Sequence, residues 1–329
     1  MTPSRASLPR MGLGCMVLSH AYGVPPSADD GLRMLRGALD EGVTLLDTAT
    51  LYGAGRNEEL VGRAINGRRD EVVLASKGGM ASVDGVRTID GRPETLRGQV
   101  DASLRRLGAD HIDLYYLHRW DKKVPIGDSV GALADAVEAG KIGAIGLSEV
   151  SVARLREAQR VAPIAAVQNE YSLWTRNAEL GMLDATRESG TAFVAFSPLA
   201  RGFLADGVHD PDALAAGDIR RGQPRFQPDH WPRNAALLPR WRALATEAGC
   251  TPAQLALAWV LSRGEHVVAI PGTTRIDHLR ENDVAVGLAL DPQILARAGE
   301  LIDTATVSGP RYPDAQAREV DAETFPEAV

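Results

Sequence analysis

The stretch Leu45-Leu46-Asp47-Thr48-Ala49-Thr50-Leu51-Tyr52-Gly53 governs how the rest of the chain is read. A short apolar run stops at a carboxylate, and a tyrosine follows five positions later on a loop closed by Gly53. A polar side chain at the C-terminal end of a buried parallel strand is costly unless hydrogen-bonded, so it marks function more often than decoration. The same event recurs along the chain. Residues 72–77 end in Lys77, 112–118 in His118, and 142–147 run into Ser148-Glu149. Residues 164–167 lead to Gln168-Asn169-Glu170, 191–196 to Ser197-Pro198, and 266–270 to Pro271-Gly272-Thr273-Thr274.

Between these runs the apolar period changes to that of a helix. Leu32, Leu35 and Leu39 share one face, as do Leu96, Val100, Leu104 and Leu107, and then Val130, Leu133, Ala134 and Val137; Gly42, Gly108 and Gly140 stop the three helices. Further helices are expected over 57–65, after a Ser151 cap through Val161, near 181–189, and after the capping box Thr251-Pro252-Ala253-Gln254. With a first strand over 12–17, the alternation gives about eight strand–helix units. Continuously apolar strands belong to parallel sheets covered on both faces, and eight such units in this length fit a closed (β/α)8 TIM barrel. An open doubly wound sheet is the alternative, but it lacks a phosphate-binding glycine fingerprint. Gly12-Leu13-Gly14 is followed by Val17, and Gly53-Ala54-Gly55 by Glu58, where the third glycine belongs. No composition break marks a second domain, so residues 1–329 are expected as one barrel domain. Residues 1–10 form a short N-terminal segment. A tail over 309–329, rich in Pro, Asp and Glu, either lies across the barrel mouth or packs loosely.

Composition narrows the partners. The 329 residues, 44% hydrophobic, can bury a large core. A net charge of −7 argues against nucleic acid as a partner. No run approaches the ~20 apolar residues of a membrane span, and the polar N-terminus is not a secretory signal. Cys15 and Cys250 are far apart and read as reduced thiols, so a cytoplasmic protein is expected. His111 and His118, seven apart on one strand, face opposite ways and cannot share a metal; no metal site is expected.

In a barrel of this kind the chemistry sits where strands end. That places Asp47, Tyr52, Lys77, His118, Ser148, Gln168, Ser197 and Thr273 around one rim, a set suited to moving a proton to an oxygen. A free phenol has a pKa of about 10; an adjacent ammonium lowers it, and a carboxylate holds the ammonium. Lys77 and Asp47 fill those two places beside Tyr52, and His118 can hydrogen-bond a reacting oxygen. No side chain donates hydride, but a bound nicotinamide does.

Asp47-x4-Tyr52-Gly53, Lys77, Tyr115-Tyr116-Leu117-His118-Arg119, Gly146-Leu147-Ser148, Gln168-Asn169-Glu170-Tyr171, Phe196-Ser197-Pro198-Leu199, Ile270-Pro271-Gly272-Thr273 and Glu281-Asn282 together resemble the aldo-keto reductases over roughly residues 11–290. Ser148-Glu149-Val150-Ser151, Tyr171-Ser172-Leu173-Trp174 and Ala200-Arg201-Gly202-Phe203-Leu204 resemble the microbial and plant branch of general aldehyde, ketone and pyridoxal reductases. The resemblance implies reduction of a small carbonyl substrate, with NADPH as cofactor and NADH as the lesser choice. Tyr52 is then the acid/base, tuned by Lys77 and Asp47, and His118 orients the carbonyl. Ser148 and Gln168 hold the nicotinamide carboxamide, Phe196 stacks on the ring, and Ser197, Leu199 and Arg201 line the pyrophosphate. Thr273, Arg275, His278, Glu281 and Asn282 surround the adenosine end. Cys15, Met16, Asp47, Pro198, Ala200, Gly272 and Thr274 complete the implied cofactor contacts.

Three positions depart from the family pattern. Glu149 stands where an asparagine is common, Phe196 where a tyrosine is common, and His278 where an arginine often meets the adenosine, with Arg275 as its substitute. Trp120, Trp174, Tyr22 and Met16 suggest an aromatic, apolar mouth. Arg220, Arg221 and Arg225 read first as a solvated face and alternatively as a clamp over cofactor phosphates. Two other functions remain open on the sequence: a nicotinamide-binding regulatory subunit with vestigial activity, and a barrel using phosphate for isomerase or lyase chemistry.

Overall fold

The computed structural model describes residues 8–325, so the first seven residues of the N-terminal segment and the last four of the tail lie outside it. Eight parallel strands form the barrel sheet: β1 (Leu13–Gly14), β2 (Leu45–Asp47), β3 (Val73–Gly78), β6 (Ile112–Leu117), β7 (Ile142–Ser148), β8 (Ile164–Glu170), β9 (Ala192–Phe196) and β10 (Val267–Ile270). β4 (Met80–Val83) and β5 (Val86–Ile89) make a separate antiparallel hairpin. The circle closes between first and last strands. Met11 bridges Ala269, Gly12 N–H donates to the Ala269 carbonyl at 2.9 Å, and Gly14 N–H donates to that of Pro271 at 3.2 Å. A side chain at Gly14 would meet the Ile270 carbonyl at 2.8 Å, so this seam needs glycine. The chain is therefore a (β/α)8 barrel.

Helices α1 (Ala28–Asp40), α2 (Arg56–Ile65), α3 (Pro93–Leu107), α4 (Ile126–Glu138), α5 (Val152–Gln159), α6 (Met182–Ser189), α9 (Pro252–Leu261) and α10 (Ile276–Val284) follow the strands around the outside. α7 (Trp231–Ala235), α8 (Leu238–Glu247), α11 (Pro292–Leu301) and α12 (Asp314–Ala317) are additions. Local chemistry sets the ends. Ser27 accepts the Asp30 N–H at the start of α1, and Thr251 and Gln254 form the reciprocal capping box of α9. Gly108 ends α3 in the left-handed conformation.

Alternation along the strands divides the apolar residues. Leu45, Ala75, Leu114, Tyr116, Ala144, Ala166, Val194 and Val268 fill the barrel interior, while a larger cluster seals strands against helices. Tyr116 occupies so much of the interior that a Cβ on Gly146 would run into its ring. A packed floor of this kind leaves the strand ends as the place for a ligand. Among the described residues no helix is long and apolar enough to cross a membrane.

The structure departs from the sequence reading at two elements. The first strand is two residues long, because Met16–Leu18 turns away as a 3-10 turn. The segment 79–92, to which the sequence reading assigns no element, contains the β4–β5 hairpin; its two-residue turn, Asp84-Gly85, has positive φ at both positions, the geometry of a tight hairpin turn.

Candidate active site

β2 and β3 are register partners, with Asp47 opposite Ala75, so Lys77 emerges one layer above Asp47 on the neighbouring strand. Both side chains are buried and they form an ion pair. The Lys77 ammonium also donates to the Thr48 carbonyl at 2.9 Å and to Tyr52 Oη at 3.4 Å. The second Asp47 oxygen accepts from Gln168 Nε2 at 2.7 Å, tying β2 across the barrel to β8. Tyr52 stands on a short turn in which Gly53 and Ala54 take left-handed φ values of 57° and 54°, folding the loop back over the strand end. Thr48 and Asn57 brace that loop: Thr48 Oγ1 donates to Asn57 Oδ1 at 2.6 Å, and Asn57 Nδ2 reaches the Cys15 carbonyl at 2.9 Å. The His118 ring meets the Tyr52 ring edge-on, centroids 5.9 Å apart. Among the described residues its buried Nδ1 has no hydrogen-bond partner.

Electrostatics set the resting protonation. Burial pushes the Tyr52 phenol above its usual 10.0; Lys77 and Arg119 oppose the rise and Asp47 adds to it. The sequence reading, in which the ammonium makes this phenol unusually acidic, is corrected here. Desolvation outweighs the nearby charge, so Tyr52 keeps its proton. Burial works against the Lys77 ammonium, but Asp47 and Tyr52 raise its pKa above 10.5, and it stays charged. His118 lies well below 6.5 through burial first, then repulsion from Arg119, Lys77, Arg87 and His20, and is neutral. The resting site is thus a protonated phenol, a locked ion pair and a neutral imidazole.

A cavity of about 610 Å³ opens above these groups. Asp47, Tyr52, His118, Ser148 and Gln168 line one end; Met16, Phe196, Ser197, Pro198, Leu199 and Arg201 line its side. Gly272, Thr273, Thr274, His278, Glu281 and Asn282 line the far end, around the start of α10. Four residues named from the sequence stand outside the lining. Lys77 lies beneath Tyr52, fully buried. Cys15 turns its Sγ toward the Leu13 carbonyl, and burial raises its thiol pKa. Ala200 is buried in the core. Arg275 is exposed and lies 3.6 Å from Asp277.

Other side chains are committed differently from the sequence reading. Arg201 lines the cavity, but its guanidinium is held by Glu170 at 3.0 Å. The 220–225 arginines divide: Arg220 pairs with Asp218 at 2.7 Å beside the cavity and lies over the Tyr22 ring, Arg221 is exposed, and Arg225 is drawn inward by Thr175, Trp174 and Gly309. Trp174 is not at the mouth; it stacks on Phe203 with centroids 4.2 Å apart. Trp120 packs under Arg154. Glu149 turns away from the cavity with φ 56° and accepts from Glu170 N–H at 2.8 Å and Arg311 at 2.7 Å.

Several lining residues have no site role in the sequence reading. His20, Arg87 and Arg119 stand near the Tyr52 end, and Tyr312, Gln316, Glu319 and Val320 come from the tail. The tail lies across the mouth. Arg311 is anchored to Glu149 and Glu170, Glu319 pairs with Arg87 of the hairpin at 2.6 Å, and Asp321 N–H donates to the Glu149 carbonyl. The Asp84-Gly85 turn signal would have found the hairpin that carries Arg87; no local pattern announces the tail contacts.

The model of the aldo/keto reductase family matches residues 10–303. The chain belongs to the aldo/keto reductase family. It is 40% identical over 327 residues to a Schizosaccharomyces pombe aldo-keto reductase, yakc, whose name specifies NADP(+); the match covers 97% of this chain and 96% of that one. Among solved structures, a glycerol dehydrogenase from Gluconobacter oxydans superposes with a TM-score of 0.83 at 29% identity, covering 93% of this chain and 94% of the other. A Klebsiella pneumoniae aldo-keto reductase in complex with NADPH superposes with a TM-score of 0.70 at 28% identity, covering 93% and 95%.

Proposed function

We propose that the protein reduces aldehydes or ketones to alcohols, with NADPH as cofactor and Tyr52 as proton donor. The observation that carries the reading is the buried Lys77, bonded at once to Asp47 and to Tyr52 Oη on the floor of the cavity and beside His118. The relatives that name or hold NADP(+) or NADPH support the cofactor.

The donors and acceptors along the cavity suit that cofactor. Ser148 and Gln168 offer a hydroxyl and an amide to a carboxamide, Phe196 offers a flat apolar face, and Ser197, Leu199 and the Arg201–Arg220 side line the middle. Thr273, His278, Glu281 and Asn282 line the adenosine end. NADPH supplies the hydride when bound. The chain supplies the rest: neutral His118 hydrogen-bonds the carbonyl oxygen and sets its angle, and Tyr52 Oη gives that oxygen a proton as negative charge grows there. Lys77, fixed by Asp47, then stabilises the phenolate left behind. The tail over the mouth limits water at this end. The buried Cys15 and partly buried Cys250 form no disulfide, which fits a reducing compartment such as the cytoplasm.

Initial rates with a panel of aldehydes, ketones and pyridoxal, run with NADPH and NADH in parallel, test the reading. Carbonyl-dependent oxidation of NADPH is expected, faster than that of NADH. Binding of NADPH without turnover of any carbonyl would overturn it.

A further inference from the structure

We infer that Arg119 binds the carboxamide oxygen of the nicotinamide. This rests on the NADPH reading above. Among the described residues four arginines line the cavity, and three are held by carboxylates: Arg87 by Glu319, Arg201 by Glu170 and Arg220 by Asp218. Arg119 has no such partner among the described residues. Its Nη1 donates to the His118 carbonyl at 2.6 Å and to Ser148 Oγ at 3.1 Å, which fixes the guanidinium plane between the orienting histidine and the serine. Two hydrogens of Nη1 are thereby used, and those of Nη2 and Nε remain to be given.

The neighbouring groups complete a donor and acceptor set. Ser148 Oγ accepts from Arg119, so its own proton is available to give. Gln168 Nε2 is taken by Asp47 at 2.7 Å, so what Gln168 offers is its amide oxygen. A carboxamide has one oxygen that accepts and one NH2 that donates. Ser148 and Arg119 match the oxygen, and Gln168 matches the NH2. Glu149 cannot compete, because its carboxylate is buried against Arg311 and the Glu170 N–H. The guanidinium is a charged donor, and hydrogen bonds from such donors are the stronger kind.

Calorimetric titration of the wild type, Arg119→Met, Arg119→Lys and Ser148→Ala with NADP+ and with 2′-phospho-ADP-ribose, which lacks the nicotinamide, tests this. Arg119→Met is expected to weaken NADP+ by about tenfold or more, the scale of a hydrogen bond from a charged donor. The same variant leaves 2′-phospho-ADP-ribose within about twofold, because that ligand never reaches residue 119. Arg119→Lys is expected to recover only part of the loss, since an ammonium cannot hold Ser148 and the carboxamide in one plane. The inference is overturned if NADP+ binds Arg119→Met as well as wild type, or if both ligands weaken equally. A rise in KM confined to carboxylate-bearing aldehydes, with NADP+ affinity intact, would also overturn it by assigning the guanidinium to a substrate anion. A wild type that binds no NADP+ would instead sink the parent reading.

Discussion

Lys77 and Arg311 are both cations sunk into the C-terminal rim of the same barrel, but their surroundings differ in kind. Lys77 has one carboxylate, Asp47, and directs a remaining donor to Tyr52 Oη, which faces the cavity. Arg311 is shared between Glu149 and Glu170, and Glu170 also accepts from Arg201 and Thr175. The first cluster ends on a phenol oxygen that lines the cavity; in the second, Arg311 is spent on two carboxylates and lies outside the lining. Burial of charge by itself therefore does not mark a catalytic group.

Breaking each cluster should give opposite signatures. On the proposed function, Lys77→Met removes the ammonium beside the Tyr52 oxygen, and kcat with saturating NADPH is expected to fall by about 10³-fold. Turnover close to wild type would place Lys77 outside the chemistry. Arg311→Leu is expected to act on stability, costing about 3–5 kcal/mol because two buried carboxylates lose a shared cation. Urea unfolding measures this, and kcat for a small aldehyde should change far less than in the Lys77 variant.

Acid sharpens the same contrast. Burial works to raise the Glu170 pKa, but Arg201, Arg311 and Arg225 outweigh it and hold the carboxyl at about 2, below its ordinary 4.5. A carboxyl depressed in the folded state contributes stability that is present above pH 4.5 and is lost as pH falls toward 2. Unfolding free energy is thus expected to decline across that window, and Arg311→Leu should shift the decline to higher pH. The smallest effect belongs to the Lys77 cluster. Tyr52 is raised above 10.0 and His118 sits well below 6.5, so kcat/KM for reduction should be level between these values and fall only above the upper one. An inflection near neutral pH would mean that a different group donates the proton.

The barrel is legible in the sequence because each buried strand is a continuous apolar run cut off by a polar residue. Asp47, Lys77, His118, Ser148 and Gln168 all stand at such cuts, and the structure gathers them within one rim. The first strand is shorter than its sequence suggests because Gly12–Val17 is apolar throughout, and periodicity cannot show where a strand gives way to a turn. Glu149 and Arg311 are beyond sequence reasoning for another reason. They are 162 residues apart, and a long-range ion pair leaves no local pattern. Trp174 belongs to the mouth on residue type alone, whereas its stacking on Phe203 makes it a core residue. The acidity of Tyr52 is misjudged from sequence because the neighbouring charge is visible there and the degree of burial is not.

The most direct measurement is Tyr52→Phe, with carbonyl turnover and NADPH affinity determined on the same preparation. Turnover should fall by about 10²–10⁴-fold for loss of a positioned proton donor, with NADPH affinity nearly unchanged. A Tyr52→Phe enzyme that reduces carbonyls at the wild-type rate would contradict proton donation by this phenol.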